Sequence, residues 1–582
     1  MKNVKNLFGM AVMATALVGC SSNDNLNPNP NDNAGKAGEA YASFKINLPT
    51  VSGTRAVDPK TGTEFEGGTA AEYEVKNGTI LIFDASTDKF VTSAELGNMN
   101  PWTADKDDKG VTTAAIATVK LTGVSTTGSY KALVLLNNNS ETTPKVTLPT
   151  TTDTYTSWSK DFKKVDVEKY TSTDGIFMAN APEYSATSDP KTLVPVAHVC
   201  ASREQAEAMG ATTVYVERGL AKVTMEKFTH GGYTISGGTY DGGKVEITNW
   251  QLDVTNKSTY PIHQVGDLST TTWGDIWNTD RFHDAKSNFK RIYWGIDPNY
   301  ANAAYQNLAN CKNAFNLITD NSKILGEAGQ DNPQYCLENT FDLDNMKQGQ
   351  TTRVVFKAIV TPNGLTFSGT DKTFYRIGNN TALWTAKTLS QHILTLALNA
   401  MKITTSDEQG KYSVDLKAGG QNSIAQKAGL HFISTDNIKF TDDTGTYHSK
   451  VDENVVNEIN DKLGLVKDAS GKITTGISTY LNGEAYYIAR IKHFNNLTNW
   501  KPGDYTYSDP DLTKEENNNK YLGRYGVLRN NWYSLSVNTV SGIGYPEVPE
   551  VKPNVPDDEN DKYINVEVKI LDWAKRSQSI DL

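Results

Sequence analysis

"INVEVKILDW", residues Ile564 to Trp573, decides how the rest of the chain is read. Ile564, Val566, Val568 and Ile570 alternate with Asn565, Glu567 and Lys569, so an extended backbone puts one apolar and one polar face on this segment. Such a strand has to lie on a sheet. The segment before it, "GYPEVPEVKPNVPDDENDK" (Gly544 to Lys562), carries Pro546, Pro549, Pro553 and Pro556. Prolines at that density hold the backbone extended and remove amide donors, so residues 546–562 read as a semi-rigid spacer that separates a terminal strand, 563–582, from the body. The strand therefore completes either its own sheet or that of another molecule.

The body supplies sheets in abundance. "GTILIFDA" (Gly78 to Ala85), "YKALVLLNN" (Tyr130 to Asn138), "TVYVERGLAKVTM" (Thr213 to Met225), "KVEITNWQLDVT" (Lys244 to Thr255), "RVVFKAIVT" (Arg353 to Thr361) and "WYSLSVNTV" (Trp532 to Val540) all read as strands between turns rich in Gly, Asn, Asp, Ser and Thr. "STYLNGEAYYIARI" (Ser478 to Ile491) predicts a hairpin around Asn482-Gly483, a dipeptide that accepts positive φ. The spacing of these short strands is that of β-sandwiches, a mainly β fold. Helices are few. A capping box at Ser202 and Gln205 predicts a short one at 202–209, and apolar periodicity predicts two more at 385–401 (Leu389, Ile393, Leu396, Ala400) and 453–464 (Val455, Val456, Ile459, Leu463). A domain boundary falls near 212, giving an N-terminal domain of 40–212 and a C-terminal domain of 213–545.

The chain has 582 residues and a net charge of -10, without the clustered Lys and Arg of a nucleic-acid binder, so nucleic acid is excluded as a partner. At the N-terminus Lys2 and Lys5 precede "LFGMAVMATALVG", an apolar run too short for a membrane span and suited to the core of a signal peptide, residues 1–19. It ends in Leu17-Val18-Gly19-Cys20, which resembles the lipobox of bacterial lipoproteins. That resemblance implies diacylation of Cys20 and anchoring in the outer membrane through lipid; two or more acyl chains anchor stably. Residues 20–39 are Ser-, Asn-, Asp- and Pro-rich and read as a flexible tether. Of the remaining cysteines, Cys200, Cys311 and Cys336, the closer pair Cys311 and Cys336 is a candidate bridge, set against buried thiols.

Catalytic and metal motifs are missing. No H-E-x-x-H, P-loop or G-x-S-x-G stands in a fitting context, the eight histidines are scattered, and the Asp105–Gly110 run lacks the ligands a calcium loop needs at its later positions. No enzyme activity, cofactor or metal is expected.

"VYVERGLAKVTM" (Val214 to Met225), "YYIARI" (Tyr486 to Ile491), "GVLRNNWYSLSVNTVSGIGYP" (Gly526 to Pro546) and the last strand resemble, in order, the fimbrillins, the major fimbrial subunits of type V pili, and most closely their minor-fimbria shaft pilin. The motif Val527, Asn530, Tyr533, Leu535 and Val537 carries much of the resemblance. The resemblance implies two transthyretin-like β-sandwich domains, export to the cell surface, cleavage by a trypsin-like Arg-specific protease, and polymerisation by donor-strand exchange with other copies and accessory fimbrial subunits, with a role in adhesion and biofilm. Accessory, tip or anchor subunits and a glycan-binding surface lipoprotein are the alternatives.

The residues offer their own version of that scheme. In "AYASFKINLPTVSGTRAV" (residues 40–57), Ala42, Phe44, Ile46 and Leu48 alternate with Ser43, Lys45 and Asn47, Pro49 ends the strand, and a small polar stretch leads to Arg55 and Ala56, a fitting site for an Arg-specific protease. Under the scheme that the resemblance implies, residues 40–55 read as a removable propeptide strand. Its polarity matches that of Ile564, Val566, Val568 and Ile570, so the two ribbons suit the same kind of groove.

Overall fold

The computed structural model describes residues 38–48, 72, 74–97, 103–104, 113–139, 144–161, 163–164, 167–171, 175–184, 190–265, 292–448, 451–493, 523–557 and 564–572. Its N-terminal sheet is built from β1 (Glu39–Leu48), β2 (Gly78–Asp84), β3 (Phe90–Glu95), β4 (Thr103–Ala104), β5 (Thr113–Thr122), β6 (Tyr130–Leu136), β7 (Met178–Asn180), β8 (Val194–Pro195) and β9 (Thr212–Arg218). The strand order is β3-β2-β6-β7-β9-β1-β5-β4, with β8 beside β6. Alternation along β1, β2, β5, β6 and β9 sends one residue in two to a shared apolar cluster that includes Phe44, Ile46, Ile80, Val119, Val134 and Val214. The sheet rolls enough to bring β3 to β5, where the hydroxyls of Thr92 and Thr122 lie 3.3 Å apart. A short helix, α1 (Arg203–Ala208), packs over β1 and β5, and Ser202 caps its first turn through its hydroxyl, which accepts from the Gln205 amide, the serine half of the expected capping box.

The second unit is a sandwich. One sheet has the order β13-β10-β20-β21, from β10 (Ala221–Met225), β13 (Gly329–Cys336), β20 (Asn531–Val540) and β21 (Ile564–Asp572). The facing sheet, β11-β12-β14-β19, contains β11 (Tyr233–Thr234), β12 (Lys244–Asp253), β14 (Arg353–Thr361) and β19 (Glu484–Arg490). Val223, Leu535 and Tyr533 from the first meet Trp250, Phe356 and Tyr487 from the second in one core. A third sheet, β16-β15-β18-β17, holds β15 (Phe374–Ile377), β16 (Leu383–Trp384), β17 (Gly429–His431) and β18 (Ile477–Tyr480). It is covered by α2 (Ala386–Ala400) and α3 (Glu453–Lys462) through Leu389, Ile393, Val456 and Ile459, so both predicted helices are packing elements. The fold is mainly β, sandwich-like, with a few short helices.

Four expectations are corrected. The predicted strand 213–225 is two: β9 joins the N-terminal sheet and β10 the next, and the chain crosses over at Gly219–Leu220, beyond the boundary expected near 212. Residues 478–491 form no hairpin. Asn482 and Gly483 do take positive φ (53° and 80°), but β18 pairs with β15 and β17 while β19 pairs with β14, so the turn is an arch between sheets. Cys311 and Cys336 are unbridged and lie in different clusters, Cys311 donating to the Gly349 carbonyl (3.0 Å) and Cys336 inside the sandwich core. The proline-rich segment is no free arm over its described part. Tyr545 pairs with Tyr486, the Pro549 carbonyl accepts from Arg353 (2.7 Å), Val555 and Asp557 pair with Gln348 and Met346, and Asp557 is buried against Thr351. Arg353 is itself buried in an ion pair with Asp253 (2.8 Å). A semi-rigid extended backbone exposes its carbonyls at regular intervals, which suits it to being strapped down as much as to projecting.

Candidate functional site

β1 is the strand through which the N-terminal sheet holds together. It pairs antiparallel with β5 along its full length, from Glu39 opposite Thr122 to Leu48 opposite Thr113, and parallel with β9 from Phe44 opposite Thr212 to Asn47 opposite Tyr215. Among the described residues, the strand order makes it the link between β5 and the rest of the sheet. Ala40, Ala42, Phe44 and Ile46 are each 0% exposed, so three of the four predicted propeptide-strand residues lie in the core and Leu48 continues the strand. On the other face Ser43 shares a hydrogen bond with Thr118 (2.7 Å), and Cys200 closes the groove by exchanging both backbone hydrogen bonds with Tyr41 (2.8 Å each).

The C-terminal ribbon is placed differently. β21 pairs antiparallel with β20 of its own chain, Val566 opposite Val537 and Val568 opposite Leu535, and stands at the end of its sheet with a neighbour on one side. Ile564, Val566, Val568 and Ile570 thus fall on one strand, as the alternation requires. Cys20, Arg55, Ala56 and the Asp105–Gly110 run lie outside the described residues.

Between the two units lies a network that sequence reasoning missed. The Glu72 carboxylate accepts from Lys222 and from the Tyr335 hydroxyl (2.6 Å each), its carbonyl accepts from Arg218 (2.9 Å), and Lys222 sits 3.8 Å above the Trp532 ring. Nearby, His263 bonds Glu217 (2.7 Å) and Arg529 bonds Glu338 (3.1 Å), all buried. The motif noted in the sequence belongs here: Asn530, at φ 58°, accepts from the Arg218 amide through its side chain (3.0 Å) and donates its own amide to Leu220 (2.6 Å). Asn tolerates the left-handed region, which explains its presence at that turn. The Tyr533 hydroxyl accepts from the Leu528 amide (2.8 Å) and lies 2.7 Å from His493. Asn530 thus joins the units, while Val527, Tyr533, Leu535 and Val537 pack in the sandwich core. Asp297 is buried beside Glu338, and desolvation pushes its carboxyl up to about 7 despite hydrogen bonds from Thr340, Asn299 and Asn256. Burial likewise raises the thiols of Cys311 and Cys336, to about 11 and about 12, which makes them poor nucleophiles. No group of three or more potential metal ligands is gathered among the described residues. A cleft of about 690 Å³ opens at the junction, lined by Glu168, Gln251, Lys257, Asn316, Gln334 and Tyr335 among others.

Residues 503–579 match the family model of the type IV major fimbrial subunit protein, fimbrillin, at its C-terminal region. The matched stretch contains β20 and β21. The match supports a fimbrial subunit. No curated protein matches. Crystal structures of two Parabacteroides distasonis proteins named for cell adhesion align at 11% and 10% identity, with TM-scores of 0.37 and 0.32, over 93% and 92% of this chain and 99% of theirs. A fimbrial assembly protein from the same organism aligns at 12% identity and a TM-score of 0.22, over 56% of this chain and 100% of its own.

Proposed function

We propose that this chain is a structural pilin of a cell-surface fimbrium, exported as a lipoprotein acylated on Cys20, cut between Arg55 and Ala56 by a trypsin-like Arg-specific protease, and polymerised head-to-tail by strand exchange. In the precursor β1 fills the N-terminal sheet. Cleavage frees residues 40–55, and Ile564 to Leu582 of a second copy takes the vacated place. The observation that carries this reading is the position of β1: a strand near the N-terminus, followed a few residues on by an arginine, sits centrally in a sheet with Ala40, Ala42, Phe44 and Ile46 buried. Its removal exposes two rows of unpaired backbone groups and the pockets of Phe44 and Ile46, whose burial is worth about 3–6 kcal/mol together. A groove of that kind recruits a strand. Since donor and acceptor surfaces differ, the contact does not close on itself and generates a filament.

Low-dose trypsin on the purified precursor tests the scheme. N-terminal sequencing is expected to begin at Ala56, and ladders or filaments should follow; a chain ending at Asn560 should be cut equally and stay monomeric. Filaments from that truncated chain would remove the C-terminal strand from the mechanism. Cys200 reports the groove directly. Cys200, 2% exposed and backbone-paired with Tyr41, is expected to resist a thiol reagent in the precursor and react once β1 has left, while Cys311 and Cys336 stay silent in both states. A glycan-binding surface lipoprotein is the second reading, favoured by the amide-rich cleft beside Tyr335. Glycan-array binding by a monomer that never polymerises would select it.

A further inference from the structure

The space occupied by β1 is tapered. Across the β1–β5 pair a large residue faces a small one all along the apolar side: Ala40 opposes Leu121, Ala42 opposes Val119, Phe44 opposes Ala117 and Ile46 opposes Ala115. All belong to one cluster and none is more than 8% exposed. Directly opposed side chains of an antiparallel pair are close neighbours, so the volume given up by one strand is taken by the other. Without β1, the groove has a wide half above Ala115 and Ala117 and a shallow half above Val119 and Leu121.

Resting on the strand-exchange reading, we propose that Ala115 and Ala117 set the register of the incoming strand, which is the Ile564–Ile570 ribbon of a second copy. β1 spends two of its apolar positions on alanine, whereas every apolar position of that ribbon is Ile or Val. Laid over the whole length of the β1 site, the ribbon would press branched side chains against Val119 and Leu121, an overpacking that filled cores resist. Seated from the place of Phe44 towards that of Leu48, it meets Ala117 and Ala115 instead. Whichever way it runs, two of its branched residues take the places of Phe44 and Ile46, the others lie on from there past Leu48, and the Ala40–Ala42 half receives none of them.

A size swap tests this. Phe44→Ala combined with Ala117→Phe keeps the volume of the pair, so the precursor is expected to fold and to be cut after Arg55 as the wild type is. Its groove then lacks the wide pocket, and it should accept the wild-type C-terminal strand about tenfold more slowly or not at all. The swapped chain, whose own C-terminus is unchanged, should still donate to wild-type grooves. Ile46→Ala with Ala115→Ile repeats the test one pair along, so that a folding failure of either swap leaves the other. Folded swapped chains that accept the strand at the wild-type rate overturn the register assignment alone. Assembly of wild-type chain truncated at Asn560 overturns the strand-exchange reading instead, and the two failures are separable.

Discussion

The two terminal ribbons of this molecule have the same alternation and opposite situations. β1 is central, paired on both sides, with Ala40, Ala42, Phe44 and Ile46 sealed in the core; among the described residues β21 pairs with β20 alone, at the edge of its sheet. A central strand leaves only if it is cut loose and something replaces it, whereas an edge strand peels off with the rest of its sheet intact. The difference teaches that ribbons of one amphipathic pattern can be central or marginal, a distinction that the pattern alone does not make; under the proposed scheme the central one is the plug and the marginal one the hook.

Deleting residues 39–48 is the most severe way to break the comparison. It detaches β5 from β9, and the N-terminal unit is expected to lose its cooperative unfolding transition in calorimetry, while truncation at Asn560 should leave both transitions nearly in place. Equal damage from the two deletions would erase the asymmetry. Next comes Phe44→Ala in the uncut chain, expected to cost about 3–5 kcal/mol by denaturant unfolding because Phe44 is fully enclosed. Asp297, which is on neither ribbon, sharpens the contrast by its neutrality. Its carboxyl keeps a proton up to about 7 in the folded chain and releases it near its ordinary 3.8 when unfolded, so its contribution is full below that value and is lost as the pH rises towards 7. The slope is at most about 1.4 kcal/mol per pH unit. It should vanish in Asp297→Asn and be the same in the full chain and in the Asn560 truncation. The smallest effect belongs to Val568→Ala, at about 1 kcal/mol or less on the stability of the single chain, as fits a strand paired on one side.

Much of this was legible in the sequence where the causes are local. Alternation over 42–48 and 564–570 marked both ribbons, the serine cap fixed the start of α1, and the periodicity of 385–401 and 453–464 marked α2 and α3. Where causes are distant, sequence reading reached half the answer. Asn482-Gly483 carries the right torsions for a tight turn, but which sheets its flanking strands join is decided by β14 and β15, far away in the chain. The junction is wholly long-range: Glu72 meets Lys222 and Tyr335, and Asn530 meets Arg218, through pairings that no window of sequence contains. The strapping of 544–557 depends in the same way on Arg353, Gln348 and Tyr486.

That strap bears on mechanics. Only residues 558–563 separate docked Asp557 from Ile564, a leash of about 20 Å at full stretch. In a filament assembled as proposed, a tug on one subunit runs down the leash of the next and loads the Asp557–Thr351 and Pro549–Arg353 contacts in succession. The docked prolines and the seated strand then lie on one line of tension, so the strap has to hold as firmly as the joint between neighbours.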